Sequence, residues 1–270
     1  LGELVLLKLG GSLITEKGSS QTARREVIRR VAHEIREALD EVPGLRLVVG
    51  HGSGSYGHPT ASKYGIQEGL ADGGDWWGYA ETAVIASRLN RVVTDALFDQ
   101  GIPALPLQPS ASALCRDGNL VHLETAPLEE ALRRGLVPVV YGDVSFDAAQ
   151  GSAIISTEQI FAYLGSRLRP DRVILAGRVE GVFTADPLRD TGTRLVKAIS
   201  VSRLDEVERL LAGSPDTDVT GGMLSKVQTM SRLIEAHPSL TVRIISGERE
   251  GLVEKALVEI EIEEGTLLHR

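Results

Sequence analysis

The stretch Arg46-Leu-Val-Val-Gly-His-Gly-Ser-Gly-Ser-Tyr-Gly-His58 carries the reading of the fold. It opens with the apolar run of a buried strand, Arg46–Val49, and ends in a glycine-rich loop over residues 51–58. Glycine lets main-chain N–H groups come close to a phosphate, and His58 adds a donor that is partly cationic near neutral pH. The same grammar starts the chain, where Leu4-Val-Leu-Leu-Lys-Leu9 runs into Gly10-Gly11-Ser12. Two strand-to-glycine turns imply two phosphoryl groups handled side by side, as phosphorylation of a phosphorylated substrate requires.

Outward from these turns, strands and helices alternate. Apolar positions Val27, Ile28, Val31, Ile35, Ala38, Leu39 and Val42 have helical spacing over 23–42, and Pro43-Gly44 stops that helix. A loose Gly/Trp segment over 71–78 precedes a helix over 79–100. Val137–Tyr141 reads as a strand closed by Gly142-Asp143, Ile155–Leu168 as a helix, and Arg172–Ala176 as a strand. Ser202–Asp205 resembles a capping box ahead of a helix over Leu204–Leu211. Met223–Ala236 reads as a helix that starts at the glycine pair Gly221-Gly222, and Thr241–Ser246 as a strand. Val258–Ile262 and Gly265–Leu268 suggest a closing hairpin at a sheet edge. This alternation predicts an α/β fold with a central, mostly parallel sheet covered on both faces and ligands at the carboxyl ends of its strands.

At 270 residues the chain is long enough for a substantial core. The net charge of −8 argues against a nucleic-acid surface. Cys115 is the only cysteine, so an internal disulfide and a thiolate metal site are excluded and a reducing, cytoplasmic home is expected. No apolar run reaches membrane-spanning length and no basic-then-apolar leader is seen, so no membrane partner is expected.

The match Gly52-x-Gly54-x-x-Gly57 follows a strand, but it lacks the acidic residue that would close the next strand of a dinucleotide-binding unit. Pro59 also falls where that unit's helix should enter its second turn, and the pattern G-x-x-x-x-G-K-[ST] is absent. Lys8 is more telling, because a charge inside Leu-Lys-Leu at a buried strand end is costly without a partner. Lys17 lies in the next loop, and Asp218-Val-Thr-Gly-Gly-Met-Leu-Ser-Lys226 places a lysine one turn beyond the glycine pair. Gly181-Val-Phe-Thr184-Ala-Asp186-Pro187 is a turn able to hold a base and ribose.

Taken together, these segments, with Tyr141-Gly-Asp-Val144, Gly151 and Gly265-Thr266, resemble the amino-acid kinase superfamily and within it the isopentenyl phosphate kinases. The resemblance implies one three-layer αβα sandwich over 1–270, with an acceptor lobe near 1–170 and a nucleotide lobe near 171–270. It implies transfer of the γ-phosphoryl of ATP, with Mg²⁺, to isopentenyl phosphate, and a homodimer. Lys8 and Lys226 would contact the ATP phosphates and Lys17 would stabilise the transition state. Gly10, Gly11, Ser12 and Gly54 would cradle phosphates, while Gly177, Gly181, Thr184 and Gly222 would border the nucleotide. Ser53, Gly54, His58, Gly151 and Ile154 would hold the acceptor, its apolar tail lying near Trp76, Trp77, Tyr79, Ala80, Ala83 and Val84. Glu158 stands where relatives carry an aspartate that orients the core lysines, and Arg178 occupies an often acidic position. A kinase for a small phosphonate such as fosfomycin, using the same histidine, is the nearest alternative. A non-catalytic nucleotide-binding regulatory or storage protein is another, which the three lysines disfavour.

Overall fold

The computed structural model describes residues 2–16, 18–70, 74–185, 192–204 and 217–270, with backbone alone for 217–221. Its strands are β1 (Leu4–Leu9), β2 (Arg46–His51), β3 (Ala104–Pro106), β4 (Leu114–Arg116), β5 (Asn119–His122), β6 (Val137–Tyr141), β7 (Asp143–Asp147), β8 (Gly151–Ile155), β9 (Arg172–Gly177), β10 (Ala198–Ser200), β11 (Thr241–Ser246) and β12 (Thr266–His269). The helices are α1 (Gly11–Ile14), α2 (Arg25–Glu41), α3 (Gly54–Lys63), α4 (Trp76–Asp99), α5 (Ala126–Arg133), α6 (Thr157–Leu168), α7 (Thr217–Ala236) and α8 (Leu252–Val258).

Eight strands form the main sheet in the order β10-β12-β11-β9-β1-β2-β6-β3. Every pairing in it is parallel except β11 with β12. β1 lies at its centre, buried along its whole length, and strand alternation divides its side chains between two cores. Val5, Leu7 and Leu9 face a core shared with α2, α4 and α8. Leu4 and Leu6 face the opposite core, built with α6 and α7. Lys8, two residues beyond Leu6, therefore points toward α6 and α7. The expected three layers are present. The sheet runs across the 170/171 lobe boundary, with β9 hydrogen-bonded directly to β1.

A second sheet, β5-β4-β7-β8, was not foreseen. Gly142-Asp143 does not end the chain's excursion after β6: Asp143 opens β7, its buried carboxylate accepting from the N–H groups of Ser110 (3.1 Å) and Val144 (2.9 Å). Ile155 closes β8 instead of opening α6, which starts after a capping box of Ser156 and Gln159. The Gly/Trp segment yields to α4 at Trp76, where the Asp75 carboxylate accepts from Trp77 and Gly78.

The expected closing hairpin is absent. Val258 ends α8, and β12 pairs inside the sheet between β11 and β10. Arg172 explains the change, because its guanidinium donates to the carbonyls of Ala256, Leu257 and Glu259 at 2.7–3.0 Å and so caps the end of α8. The helix expected over 204–211 lies, beyond Leu204, outside the described residues.

Candidate active site

The two glycine turns meet backbone to backbone. A Cβ on Gly11 would stand 2.5 Å from the Gly54 nitrogen, and one on Gly54 would stand 2.2 Å from Thr15 Oγ1 and 2.6 Å from the Gly11 carbonyl oxygen. Gly54 also has φ +48°, so only glycine fits both the conformation and the space. Thr15, which sequence reasoning missed, bolts the turns together: its hydroxyl donates to the Gly11 carbonyl at 2.7 Å and accepts from Ser55 N–H at 3.0 Å. Gly10 N–H donates to the Ala176 carbonyl at 2.8 Å, which brings the first turn beside Gly177 at the end of β9. Ser12 is exposed on α1.

The segment expected as a loop through His58 is helical from Gly54 to Lys63, with Pro59 inside. Proline lacks the N–H that would bond the Ser55 carbonyl, and that oxygen instead accepts from Gln21 N–H at 3.1 Å. The helix survives because the Thr15–Ala23 hairpin satisfies what Pro59 leaves open. His58 is exposed on α3, while Ser53 is buried just before its first residue. Lys17 lies outside the described residues, as do Asp186 and Pro187.

His51 is a fully buried neutral support at the end of β2. Its Nδ1–H donates to the Gly52 carbonyl at 3.2 Å, its Nε2 accepts from the Asn90 amide at 3.1 Å, and its ring stacks on Tyr141 with centroids 5.5 Å apart. Burial, aided by the nearby Lys8 charge and opposed by the Gly52 contact, takes its pKa down to about 4. Thr157 donates to the His51 carbonyl at 2.7 Å, fixing the start of α6 against β2.

Behind the turns, Lys8 forms an ion pair with Glu158 in the first turn of α6, both side chains being buried. Burial would raise the Glu158 pKa, but the charges of Lys8 and Lys226 overcome it and hold the carboxyl below its ordinary value. Burial and then the Lys8 charge push the Lys226 ammonium below its usual 10.5, against the pull of Glu158. One carboxylate thus serves two ammonium groups, leaving a net positive charge beside the glycine turns. This arrangement attracts a polyanion.

Other expected site residues sit differently. α7 begins at Thr217, so Gly222 lies inside the helix and not at its start; its N–H belongs to the helical ladder, and Lys226 follows one turn later. Gly181 packs against Thr266 of β12, whose hydroxyl accepts from Val182 N–H at 2.8 Å. Thr184 is knitted to Thr193 and Arg194. Gly151, at φ +85°, opens β8 where a Cβ would collide with the Leu70 carbonyl, and Ile154 joins an apolar cluster of Ala61, Ile66, Leu70, Tyr79 and Val144. Tyr79 stacks on Phe146 with centroids 4.9 Å apart, and Trp76 lies 5.6 Å from Tyr79. Trp77, Ala80 and Val84 face solvent instead, on the outer side of α4.

Residues 3–246 match the amino acid kinase family. The chain belongs to this family. Within it, the chain is 38% identical over 266 residues to the isopentenyl phosphate kinase of Methanothermobacter thermautotrophicus, covering 96% of this chain and 97% of that protein. It is 36% identical over 255 residues to the isopentenyl phosphate kinase of Haloferax volcanii, covering 93% and 98% respectively. A solved isopentenyl phosphate kinase structure superposes with a TM-score of 0.83 at 33% identity, covering 98% of this chain and 99% of that one. Among the described residues no helix is long and apolar enough to cross a membrane.

Proposed function

We propose that this member of the amino acid kinase family transfers the γ-phosphoryl group of ATP to isopentenyl phosphate, giving isopentenyl diphosphate for isoprenoid biosynthesis. The observation that carries the reading is the contact of the two glycine turns at Gly11 and Gly54, with the Lys8–Glu158–Lys226 cluster behind them. Each turn offers backbone donors to one phosphate, and their closeness sets donor and acceptor side by side.

The acceptor is a phosphate monoester whose second pKa is about 6, so its attacking oxygen is already deprotonated at neutral pH. No general base is needed. The work is to bring two polyanions together and to neutralise charge that spreads over the transferring group. Lys8 and Lys226 would serve the nucleotide phosphates, Glu158 fixing both ammonium groups. Gly11, Ser12 and Gly54 would cradle phosphate oxygens, whereas the Gly10 N–H is already held by the Ala176 carbonyl and only shapes the turn. Ser53 and His58 would hold the acceptor phosphate, with Lys17 at the transferring group. Gly177, Gly181, Thr184 and Gly222 would border the nucleotide.

Among the described residues no group of three His, Cys, Asp or Glu side chains could hold a metal ion, and Glu158 is committed to the lysines. A Mg²⁺ ion would therefore travel with the nucleotide phosphates and neutralise part of their charge. The hydrocarbon tail would lie at the edge of the apolar cluster of Tyr79, Ile154, Val144 and Leu70, where Trp76 and Phe146 still present exposed rings. A cytoplasmic homodimer is the family expectation, and sedimentation equilibrium tests the dimer directly.

ADP release measured with isopentenyl phosphate, fosfomycin, acetylglutamate and UMP as acceptors tests the assignment. Turnover is expected mainly with the first. His58→Ala should lose most of it, a loss of about a hundredfold if the imidazole supplies one charge-assisted donor in the transition state. Activity confined to acetylglutamate or UMP overturns the reading.

A further inference from the structure

One charged cluster at the carboxyl edge of the sheet has no part in the chemistry above. Glu248 follows β11 and accepts from Arg24 through both oxygens, Nη1 to Oε1 at 2.5 Å and Nη2 to Oε2 at 3.2 Å. Arg178 approaches the same Oε1 through Nε, at 3.3 Å. Backbone contacts run alongside: Gly247 N–H donates to the Gly177 carbonyl at 2.7 Å, the Ser246 hydroxyl donates to the Arg178 carbonyl at 3.3 Å, and Glu248 N–H donates to that hydroxyl at 3.2 Å. Glu248 is thus tied to the turn that follows β9.

Arg24 leads the other way. Its backbone N–H donates to the Ile14 carbonyl at 2.8 Å, its Nη1 to the Leu13 carbonyl at 2.9 Å, and its Nε lies 3.7 Å from Glu16. These contacts seat it at the base of the Thr15–Ala23 hairpin. That hairpin holds α3 at two points, Thr15 to Ser55 N–H and Gln21 N–H to the Ser55 carbonyl. A chain of direct contacts therefore runs from the Gly177–Arg178 turn through Glu248 and Arg24 to the helix that carries His58. A two-pronged guanidinium–carboxylate pair transmits orientation as well as charge.

We propose that Glu248 is a positioning residue that couples the nucleotide turn to the acceptor helix, so that seating a nucleotide at Gly177–Arg178 orders α3 for the second phosphate. The proposal rests on the kinase reading, which assigns those two segments to the two substrates. Coupling of this kind is a free energy shared reciprocally between sites. Glu248→Gln keeps the shape and removes the charge that binds both arginines.

The test measures the dissociation constant of isopentenyl phosphate with and without the β,γ-imido analogue of ATP, in the full-length protein with magnesium. In the wild type the analogue should tighten acceptor binding about fivefold or more. In Glu248→Gln that ratio should fall toward one, while affinity for isopentenyl phosphate alone stays within about twofold. Arg178→Ala should lose the same coupling, the double variant should lose no more than either single one, and Glu248→Asp should restore part of it. A merely structural glutamate would lower thermal stability and leave the ratio intact. Persistence of the ratio in Glu248→Gln, or its absence from an active wild type, overturns the coupling and leaves the kinase reading standing. A wild type that releases no ADP with isopentenyl phosphate overturns both.

Discussion

Glu158 and Lys226 hold charges that burial opposes, and that tension defines what each can do. Glu158 is 4% exposed and stays ionised because two ammonium groups face it. Removing its charge strands Lys8 in the core, and breaking a buried pair in this way costs about 3–5 kcal/mol. Glu158→Gln should therefore lower stability by that order in urea unfolding and reduce kcat, with Glu158→Asp milder in both. Lys226 predicts a pH effect of definite sign. In the proposed function its cation is the form that would bind phosphate, and a lowered pKa means that the cation is lost at lower pH than for an ordinary lysine. kcat/KM for ATP should fall on the alkaline side earlier than an ordinary lysine would allow. The kcat profile should hold to higher pH, because bound phosphate restores the ammonium. Coincident alkaline limbs in the two profiles would contradict this. Lys8 was legible from sequence because a lysine amid leucines needs a partner. Thr15 was not, since its role depends on two turns 40 residues apart meeting in space.

At the scale of elements, patterns that repeat were legible and those that depend on a single distant side chain were not. The runs Leu4–Leu9, Arg46–Val49 and Thr241–Ser246 announce strands, and the 3.6-residue period announces α2. The alternation Val258, Ile260, Ile262 imitates a strand just as well, but Arg172, 86 residues before Val258, holds the carbonyls of Ala256, Leu257 and Glu259 on either side of Val258 as a helix end. Pro59 argued against a helix until Gln21 supplied the missing donor. The small sheet is pinned in the same non-local way by Asp147, whose carboxylate accepts from the N–H groups of Asp117, Gly118, Ala149 and Gln150 at 2.8–3.1 Å. Those bonds also hold its pKa below the ordinary value against the effect of burial. Asp147→Ala should loosen both turns together, raising amide exchange across 114–122 and 143–155 about tenfold or more while β1, β2 and β9 keep their protection. Equal protection in the variant would show that the clip is idle.

Across the whole molecule, one sheet carries both of the turns that the proposed function assigns to the two substrates. β2 leads to α3, β9 leads to the Gly177–Arg178 turn, and β1 lies between them bearing Lys8. The parallel order places all three glycine-bearing strand ends on one edge, a placement that follows from the alternation of strands and helices in the sequence. What the sequence alone left open was the face on which Lys8 emerges, decided by its phase with Leu4 and Leu6 against α6 and α7. In the proposed function this edge joins a phosphoryl group to a phosphate. Phosphorus NMR of the protein with ATP and isopentenyl phosphate tests it most directly. Paired doublets of a new organic diphosphate are expected to grow as the ATP γ-signal falls and ADP appears, and to be lost in Lys8→Met. Release of inorganic phosphate with no new diphosphate, or a Lys8→Met variant as active as the wild type, would contradict it.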